Sequence, residues 1–240
     1  MRETSADRFD YWWNNRGTQM DEINQRRGGE SLVERVDCGG ELFYCKRQRG
    51  HLFRSLRYPL GRPTVLREAV ALSACRRLNI PVPEIQFSGV RYGDGEWLGL
   101  LVTRALTGYL HLDDWFAEDH PRDTEVDTLV LRKTAELLVQ FHRGRWQHGS
   151  LYPKHLFVKA VTTAAGIEVN VLLLDMEKSR QRVRSLAAAR HDLQQLHRQW
   201  ERIPAEQWKI LLDHYLSLVS SGRRRALVPD SLTSPGWVTS

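Results

Sequence analysis

The chain changes its hydrophobic period part-way along, and that change restricts the folds open to it. Before residue 103, short apolar runs alternate with paired glycines; from residue 129 apolar side chains recur at helical spacing. Residues 31–37 and 42–47 flank Cys38-Gly39-Gly40-Glu41, a turn because paired glycines reach positive φ without a Cβ penalty, so a hairpin is predicted. Thr64 suits an N-cap. Residues 65–78 predict a helix with Leu66, Ala69, Val70, Leu72, Ala74 and Leu78 on its apolar side, stopped by Pro81 and Pro83. Residues 85–90 and 97–103, joined by Gly93-Asp94-Gly95, predict a second strand pair, with room for one more strand before Gly28. Residues 9–20 carry Phe9, Tyr11, Trp12 and Trp13, too aromatic for a disordered tail, and read as a short helix or packed arm over the sheet. Residues 51–63 read as a basic, aromatic connector.

The second half is built differently. Leu131, Ala135, Leu138 and Phe141 share one face of a helix over residues 129–142. A polar loop at 148–155 follows, then a hairpin over 156–174 about Ala164-Ala165-Gly166, then helices over 185–200 and 205–219. From residue 222, with Pro229 and Pro235, an irregular and mobile tail is expected. An apolar stretch near 100–106 connects the halves. The order predicts a bilobal α+β fold: a small N-lobe of antiparallel sheet plus one helix over 1–103, a larger, mainly helical C-lobe over 104–222, and a flexible tail over 223–240.

Composition narrows the setting. With 240 residues, 41% hydrophobic and 27% charged, the chain reads as a soluble globular protein able to bury a substantial core. No apolar run reaches the roughly 18 residues of a membrane span, and the N-terminus lacks the apolar stretch of a secretory leader. Cys38, Cys45 and Cys75 have no metal-ligand spacing and cannot all pair, so reduced thiols and a cytoplasmic location are expected. The net charge of +6 favours polyanionic partners: nucleic acid, an anionic membrane leaflet or a phosphorylated glycolipid. Arginines cluster at Arg26-Arg27, from Arg47 to Arg62, from Arg180 to Arg190 and at Arg223-Arg224-Arg225, each either a solvated basic surface or a binding patch. No nucleic-acid recognition motif accompanies them, so no specific nucleic acid is expected.

The residues able to carry chemistry suit phosphoryl transfer. That reaction needs positive groups on the phosphates, a metal bridging them, and a device that orients the acceptor hydroxyl. Lys46 lies near the end of the second strand and Glu68 early in the following helix, either a phosphate-binding lysine with its orienting acid or two ordinary solvated charges. Gly28-Gly29 either lets backbone N–H groups approach phosphate or makes a plain turn. The apolar run Val171-Leu172-Leu173-Leu174 ends in Asp175, a metal-binding acid or a residue capping the next turn. His148-Gly149-Ser150-Leu151-Tyr152-Pro153-Lys154-His155 resembles a kinase catalytic loop of the form H-R-D-x-x-x-x-N. Ser150 falls at the catalytic aspartate and His155 at the asparagine; His148 is the structural histidine of the loop. Asp192, in the next helix, reads either as a surface residue or as an acceptor for the loop backbone.

At these residues the chain resembles the lipopolysaccharide core kinases of the Kdo/WaaP family, and within it the InaA branch. The resemblance is carried by Phe9-Asp10-Tyr11-Trp12-Trp13-Asn14, by Asn24-Gln25-Arg26-Arg27-Gly28-Gly29, by residues 52–64, by Gln147-His148-Gly149 with Tyr152 and His155, and by Leu174-Asp175-Met176-Glu177-Lys178-Ser179-Arg180. It implies a protein-kinase-like fold in the cytoplasm, using ATP and Mg²⁺ to phosphorylate a heptose or Kdo sugar of the lipopolysaccharide inner core, with peripheral contact at the inner membrane. It also implies that Lys46 contacts the α/β-phosphates, Glu68 holds Lys46 and Asp175 holds Mg²⁺; His155, by its own chemistry, either joins the metal or orients Asp175 or a phosphate. Gly149 and Ser150 replace the family's arginine and aspartate. Two expectations follow: a kinase with an atypical loop, in which another acid such as Glu177 partly substitutes, or a nucleotide-binding pseudokinase acting in envelope or acid stress.

Overall fold

The structure is a computed structural model describing residues 4–20, 24–26, 28–55, 58–121, 123–201, 203–219 and 227. Arg27, Leu56, Arg57, the Arg223-Arg224-Arg225 cluster and, Leu227 apart, the tail expected over 223–240 lie outside the described residues. The chain divides into two compact units, Met1–Ala74 with Pro83–Thr107, and Cys75–Val82 with Gly108–Ser240.

The first unit contains α1 (Ser5–Asn14), β1 (Thr18–Gln19), β2 (Asn24–Arg26), β3 (Gly29–Cys38), β4 (Glu41–Arg49), β5 (Leu52–Ser55), β6 (Tyr58–Pro63), most of α2 (Val65–Arg77), β7 (Ile85–Gly93) and β8 (Glu96–Arg104). Its antiparallel sheet runs β1-β3-β4-β8-β7, with β2 also paired to β3. Both long hairpins close as the sequence predicts. Gly39 and Gly40 at φ 67° and 86°, and Asp94 and Gly95 at 53° and 81°, place both loop residues in the left-handed region that a two-residue hairpin favours.

Strand alternation sends Phe43 and Cys45 to one face of β4, where they pack with Val36, Phe87, Leu98, Leu100 and Val102 beneath Phe9 and Trp12 of α1. Arg47 shares that parity, and it belongs to neither a solvated surface nor a binding patch. It is buried, ion-paired with Glu34, and donates to the backbone carbonyls of Trp12 (2.8 Å), Asn15 (2.6 Å) and Trp13 (3.3 Å). These carbonyls belong to the C-terminal end of α1, where a cation opposes the negative end of the helix dipole. Lysine could reach Glu34 but could not present a planar fork to three carbonyls. Arg47→Lys is therefore expected to lower stability by about 1–3 kcal/mol in urea unfolding, with earlier proteolysis of α1.

On the opposite face lies α2. Gly99 lets it sit close to the sheet, since a Cβ there would come within 2.7 Å of Val65. The apolar side predicted for this helix is shifted: Val65, Ala69, Leu72 and Cys75 form the buried stripe, whereas Val70 and Leu78 are exposed. The stripe follows i, i+4, i+7 from Val65, and Val70 falls off it. The connector expected at 51–63 is instead a two-stranded hairpin, β5–β6, with Leu52 opposite Pro63. The apolar connection expected near 100–106 is for the most part the buried end of β8, since a continuous apolar run reads equally well as a fully buried strand.

The second unit contains β9 (Leu110–His111), α3 (Leu112–Trp115), α4 (Thr124–Arg143), β10 (Trp146–Gln147), β11 (Leu156–Thr163), β12 (Gly166–Leu173), β13 (Arg180–Gln181), α5 (Ser185–Arg198) and α6 (Ala205–Ser217). The Asp123 carboxylate caps α4 by accepting from the amides of Glu125 and Val126. Its inward face carries Leu131, Ala135, Leu138 and Phe141, all fully buried, as their spacing predicts. The hairpin β11–β12 closes between Thr163 and Gly166, and β10 pairs with β13 over two residues. These elements hold the 148–155 loop between α4, α5 and the hairpin.

Candidate functional site

Each unit carries one group of the residues singled out in the sequence. In the first unit, Lys46 Nζ lies 2.8 Å from Glu68 Oε2, with both side chains largely buried. The pairing follows from the strand. Lys46 and Gln48 point to the same face of β4, and Gln48 Oε1 accepts from the Val65 amide (3.0 Å) and the Thr64 hydroxyl (2.7 Å). The Thr64 oxygen in turn receives His51 Nδ1 at 2.6 Å. Gln48 thus caps the helix that Thr64 alone was expected to cap, and Glu68 follows one turn later, above Lys46. Gln48 and His51 were missed in the sequence; an inward-parity glutamine one strand-step beyond Lys46 was the available signal. Gly28 has φ 74° in a turn, and a side chain on Gly29 would run into the backbone of Arg49, Gly50 and His51 at 2.3–2.4 Å. Close backbone approach accounts for the second glycine.

In the second unit the loop is braced by α5. Asp192, fully buried, accepts from the amides of His148 (2.6 Å) and Gly149 (3.1 Å), from His191 Nδ1 (3.1 Å) and from His142 Nε2 (3.3 Å). Burial pushes its carboxyl upward, but hydrogen bonds from His142 and His191 and the charges of His142 and His148 outweigh that and hold it well below the usual carboxylate range. Gln195, one turn along the same face, accepts from the Leu151 amide at 2.9 Å. Asp192 and Gln195 interrupt a face otherwise made of Ala188, Ala189, Leu193 and Leu196, a pattern that marks buried polar struts. Gly149 has φ 78°, and a side chain there would meet the Lys178 carbonyl at 2.9 Å, so the family's arginine does not fit this backbone.

The loop's side chains are tied inward. His148 donates Nε2–H to the Leu174 carbonyl at 2.7 Å, just ahead of Asp175. His155 donates Nδ1–H to the Ser150 carbonyl at 2.7 Å, which turns its Nε2 toward Asp175 Oδ2, 3.6 Å away. Burial lowers the pKa of both histidines. With Nδ1 protonated and the ring neutral, His155 presents a lone pair beside the Asp175 carboxylate. Asp175 itself is left-handed, φ 53° and ψ 59°, a conformation that non-glycine residues hold only when their surroundings enforce it.

Two electron-pair donors converging on one point suit a cation. A single carboxylate, completed by phosphate oxygens and water, is an ordinary arrangement for Mg²⁺. Among the described residues no group of three or more His, Cys, Asp or Glu side chains gathers to hold a metal. The residues present therefore fit a metal that arrives with its phosphates, chiefly through Asp175.

Ser150 stands at the loop position of the catalytic aspartate. It is buried, and its hydroxyl has no hydrogen-bond partner among the described residues. The Gln147 amide and His148 Nδ1 are likewise buried without partners. Unmet polar groups are rare in folded proteins, and here they occur at three of the four consecutive positions 147–150.

The residues 10–215 match the model of the lipopolysaccharide kinase (Kdo/WaaP) family. Protein InaA of Escherichia coli (strain K12) is 37% identical over 215 residues, which span 88% of this chain and 97% of that protein. The solved structure of WaaP in complex with acyl carrier protein is similar at a TM-score of 0.66 and 17% identity, over 92% of this chain and 86% of that one. A sheet-and-helix unit that pairs a strand lysine with a helix glutamate, followed by a helical unit that braces a histidine loop, is how the protein-kinase-like fold is laid out. By fold and by sequence over nearly its whole length, the chain belongs to the lipopolysaccharide kinase (Kdo/WaaP) family.

Proposed function

We propose that the protein is an ATP- and Mg²⁺-dependent phosphotransferase acting on a sugar hydroxyl, heptose or Kdo, of the lipopolysaccharide inner core. The observation that carries this reading is the assembled Lys46–Glu68 ion pair at 2.8 Å, which kinases require to be in place for transfer. Lys46 binds the α/β-phosphates, and Glu68 fixes its ammonium group. Asp175 would hold Mg²⁺, which would neutralise charge on the phosphates, and the Nε2 lone pair of His155 would face the same cation. His148 and Asp192 keep the loop backbone in position. The reading places the protein in the cytoplasm, with the anionic, lipid-linked core oligosaccharide as its partner. Among the described residues no helix is long and apolar enough to cross a membrane.

The test is phosphate incorporation from labelled ATP into purified core oligosaccharide, with and without Mg²⁺. Mg²⁺-dependent incorporation is expected. ATP binding without transfer would overturn the reading in favour of a second one, a nucleotide-binding regulator in envelope or acid stress. That alternative is supported by the buried Ser150 hydroxyl, because no acid stands at the loop position that orients an acceptor. Ser150→Ala separates the roles. Removing an unmet buried hydroxyl should leave stability unchanged or raise it by up to about 1 kcal/mol in urea unfolding, with transfer unaltered. Loss of transfer in a stable Ser150→Ala protein would instead put the hydroxyl in the acceptor site.

A further inference from the structure

Between the strand that carries Lys46 and the helix that carries Glu68 the chain inserts the hairpin β5–β6, a two-stranded sheet of its own. Residues 42–67 contain seven lysines and arginines and no acid. Three of the seven are neutralised: Lys46 by Glu68, Arg47 by Glu34 and Arg49 by Glu96. On the hairpin, Arg54 and Arg62 are exposed and form no ion pair with any described residue.

Exposed charge alone singles out no site, since Arg35, Arg180 and Arg184 are exposed without an ion pair among the described residues as well. What sets the hairpin apart is how its guanidinium groups are held. Arg62 lies over the Tyr58 ring at 4.7 Å and Arg67 of α2 over the Phe53 ring at 5.1 Å, and the two rings meet edge to face at 6.1 Å. Arg49, Arg91 and Arg104 also lie on rings, those of Trp13, Phe9 and Phe43, but Glu96, Asp10 and Glu41 take up their charge. Arg62 is oriented by its ring with its charge left over, which sets a planar fork of N–H donors in solvent.

Such a fork matches a carboxylate or a phosphate. Phe53 and Tyr58 each give a face to an arginine, so the hairpin presents guanidinium groups and not the row of bare rings on which single-stranded nucleic acid stacks. Its base is closed by the Thr64 amide, which donates to the His51 carbonyl at 3.1 Å. Arg67 immediately precedes Glu68, so the hairpin is tied to the helical turn that holds Lys46.

We propose that the β5–β6 hairpin, through Arg54 and Arg62 with Tyr58, Phe53 and Arg67 behind them, docks the carboxylate or phosphate groups of the acceptor saccharide. The choice of ligand rests on the phosphotransfer reading.

The test is calorimetric titration of the full chain, without nucleotide, with deacylated core oligosaccharide, a neutral glucan and a single-stranded oligonucleotide of similar length. Binding is expected for the core oligosaccharide and not for the glucan. Arg62→Ala should weaken it about tenfold, the scale of one charge-assisted hydrogen bond. Arg62→Lys should weaken it several-fold, because charge remains but the fork is lost. Leu60→Ser, at a 90% exposed position of the same strand, should leave it unchanged. Circular dichroism and thermal unfolding of each variant exclude misfolding as the cause. In the transfer assay Arg62→Ala should raise the acceptor KM and leave kcat and the KM for ATP as they are. No core binding, equal binding of the glucan, or tighter binding of the oligonucleotide would overturn the proposal. So would wild-type affinity in Arg62→Ala or Arg62→Lys, or loss of binding in Leu60→Ser. Core binding that Arg62→Ala weakens upholds the site even where no phosphate is transferred. Transfer with an acceptor KM that Arg62→Ala does not change sinks the site and leaves phosphotransfer standing.

Discussion

Asp192→Ala should lower the unfolding free energy by about 3–5 kcal/mol, the scale expected when a buried charge is removed from a satisfied network. The carboxylate receives two loop amides and two imidazoles with no exposure to solvent. Alanine would leave the His148 and Gly149 amides buried and unmet, at roughly 1–3 kcal/mol each. Stability should also depend on pH in two windows. The folded-state pKa of Asp192 is depressed, so its contribution is complete above the unfolded carboxylate value near 3.9 and is lost as pH falls through the folded value. His148 and His155 are depressed by burial, so their contribution is complete above the unfolded imidazole value near 6.5 and declines as pH falls below it. Urea unfolding across pH should show a first decline beginning near pH ~6.5 and a second below ~4. In Asp192→Ala the second should be smaller, since Glu136 is also held below the usual carboxylate range. An Asp192→Ala protein of wild-type stability would remove Asp192 from its bracing role.

Asp175→Asn should reduce Mg²⁺-dependent phosphate transfer by roughly 10²–10³-fold, the usual cost of losing one key electrostatic group at a reacting centre. The substitution is nearly isosteric, the side chain is 42% exposed, and asparagine tolerates the left-handed backbone that position 175 adopts. The fold should therefore survive, and the loss should appear as a raised Mg²⁺ requirement as well as a lower rate. His155→Asn should be milder, since asparagine occupies the corresponding position of the kinase catalytic loop. Transfer at the wild-type rate by Asp175→Asn would sink the assignment of Asp175 to the metal.

Much of the architecture was legible because it rests on local chemistry. Paired glycines at Gly39-Gly40 announce a hairpin, and Leu131, Ala135, Leu138 and Phe141 announce a buried helical face, whatever the rest of the chain does. The order of Lys46, Glu68 and Asp175 was legible for the same reason, each being placed by the element before it. What escaped were features decided by partners distant in sequence. Arg47 looks like one more surface arginine until Glu34 and the end of α1 arrive. Residues 52–63 contain two prolines and a glycine, so they read as a linker, although they pair with one another. The inward burial of Ser150 depends on φ at Gly149 and on the packing of α5, and neither has a local signature.

The anchoring of α2 also bears on control. In kinases that are switched by moving the equivalent helix, the lysine–glutamate pair opens and closes with it. Here the first turn of α2 is tied through Val65 and Thr64 to Gln48, a neighbour of Lys46 on the same strand and face. Helix and strand are thereby fastened at a point one turn from the ion pair, and swinging Glu68 away would strand three buried polar groups at once. On the phosphotransfer reading, the lysine–glutamate pair is thus held closed from within its own unit, and control would fall to the binding of nucleotide and acceptor.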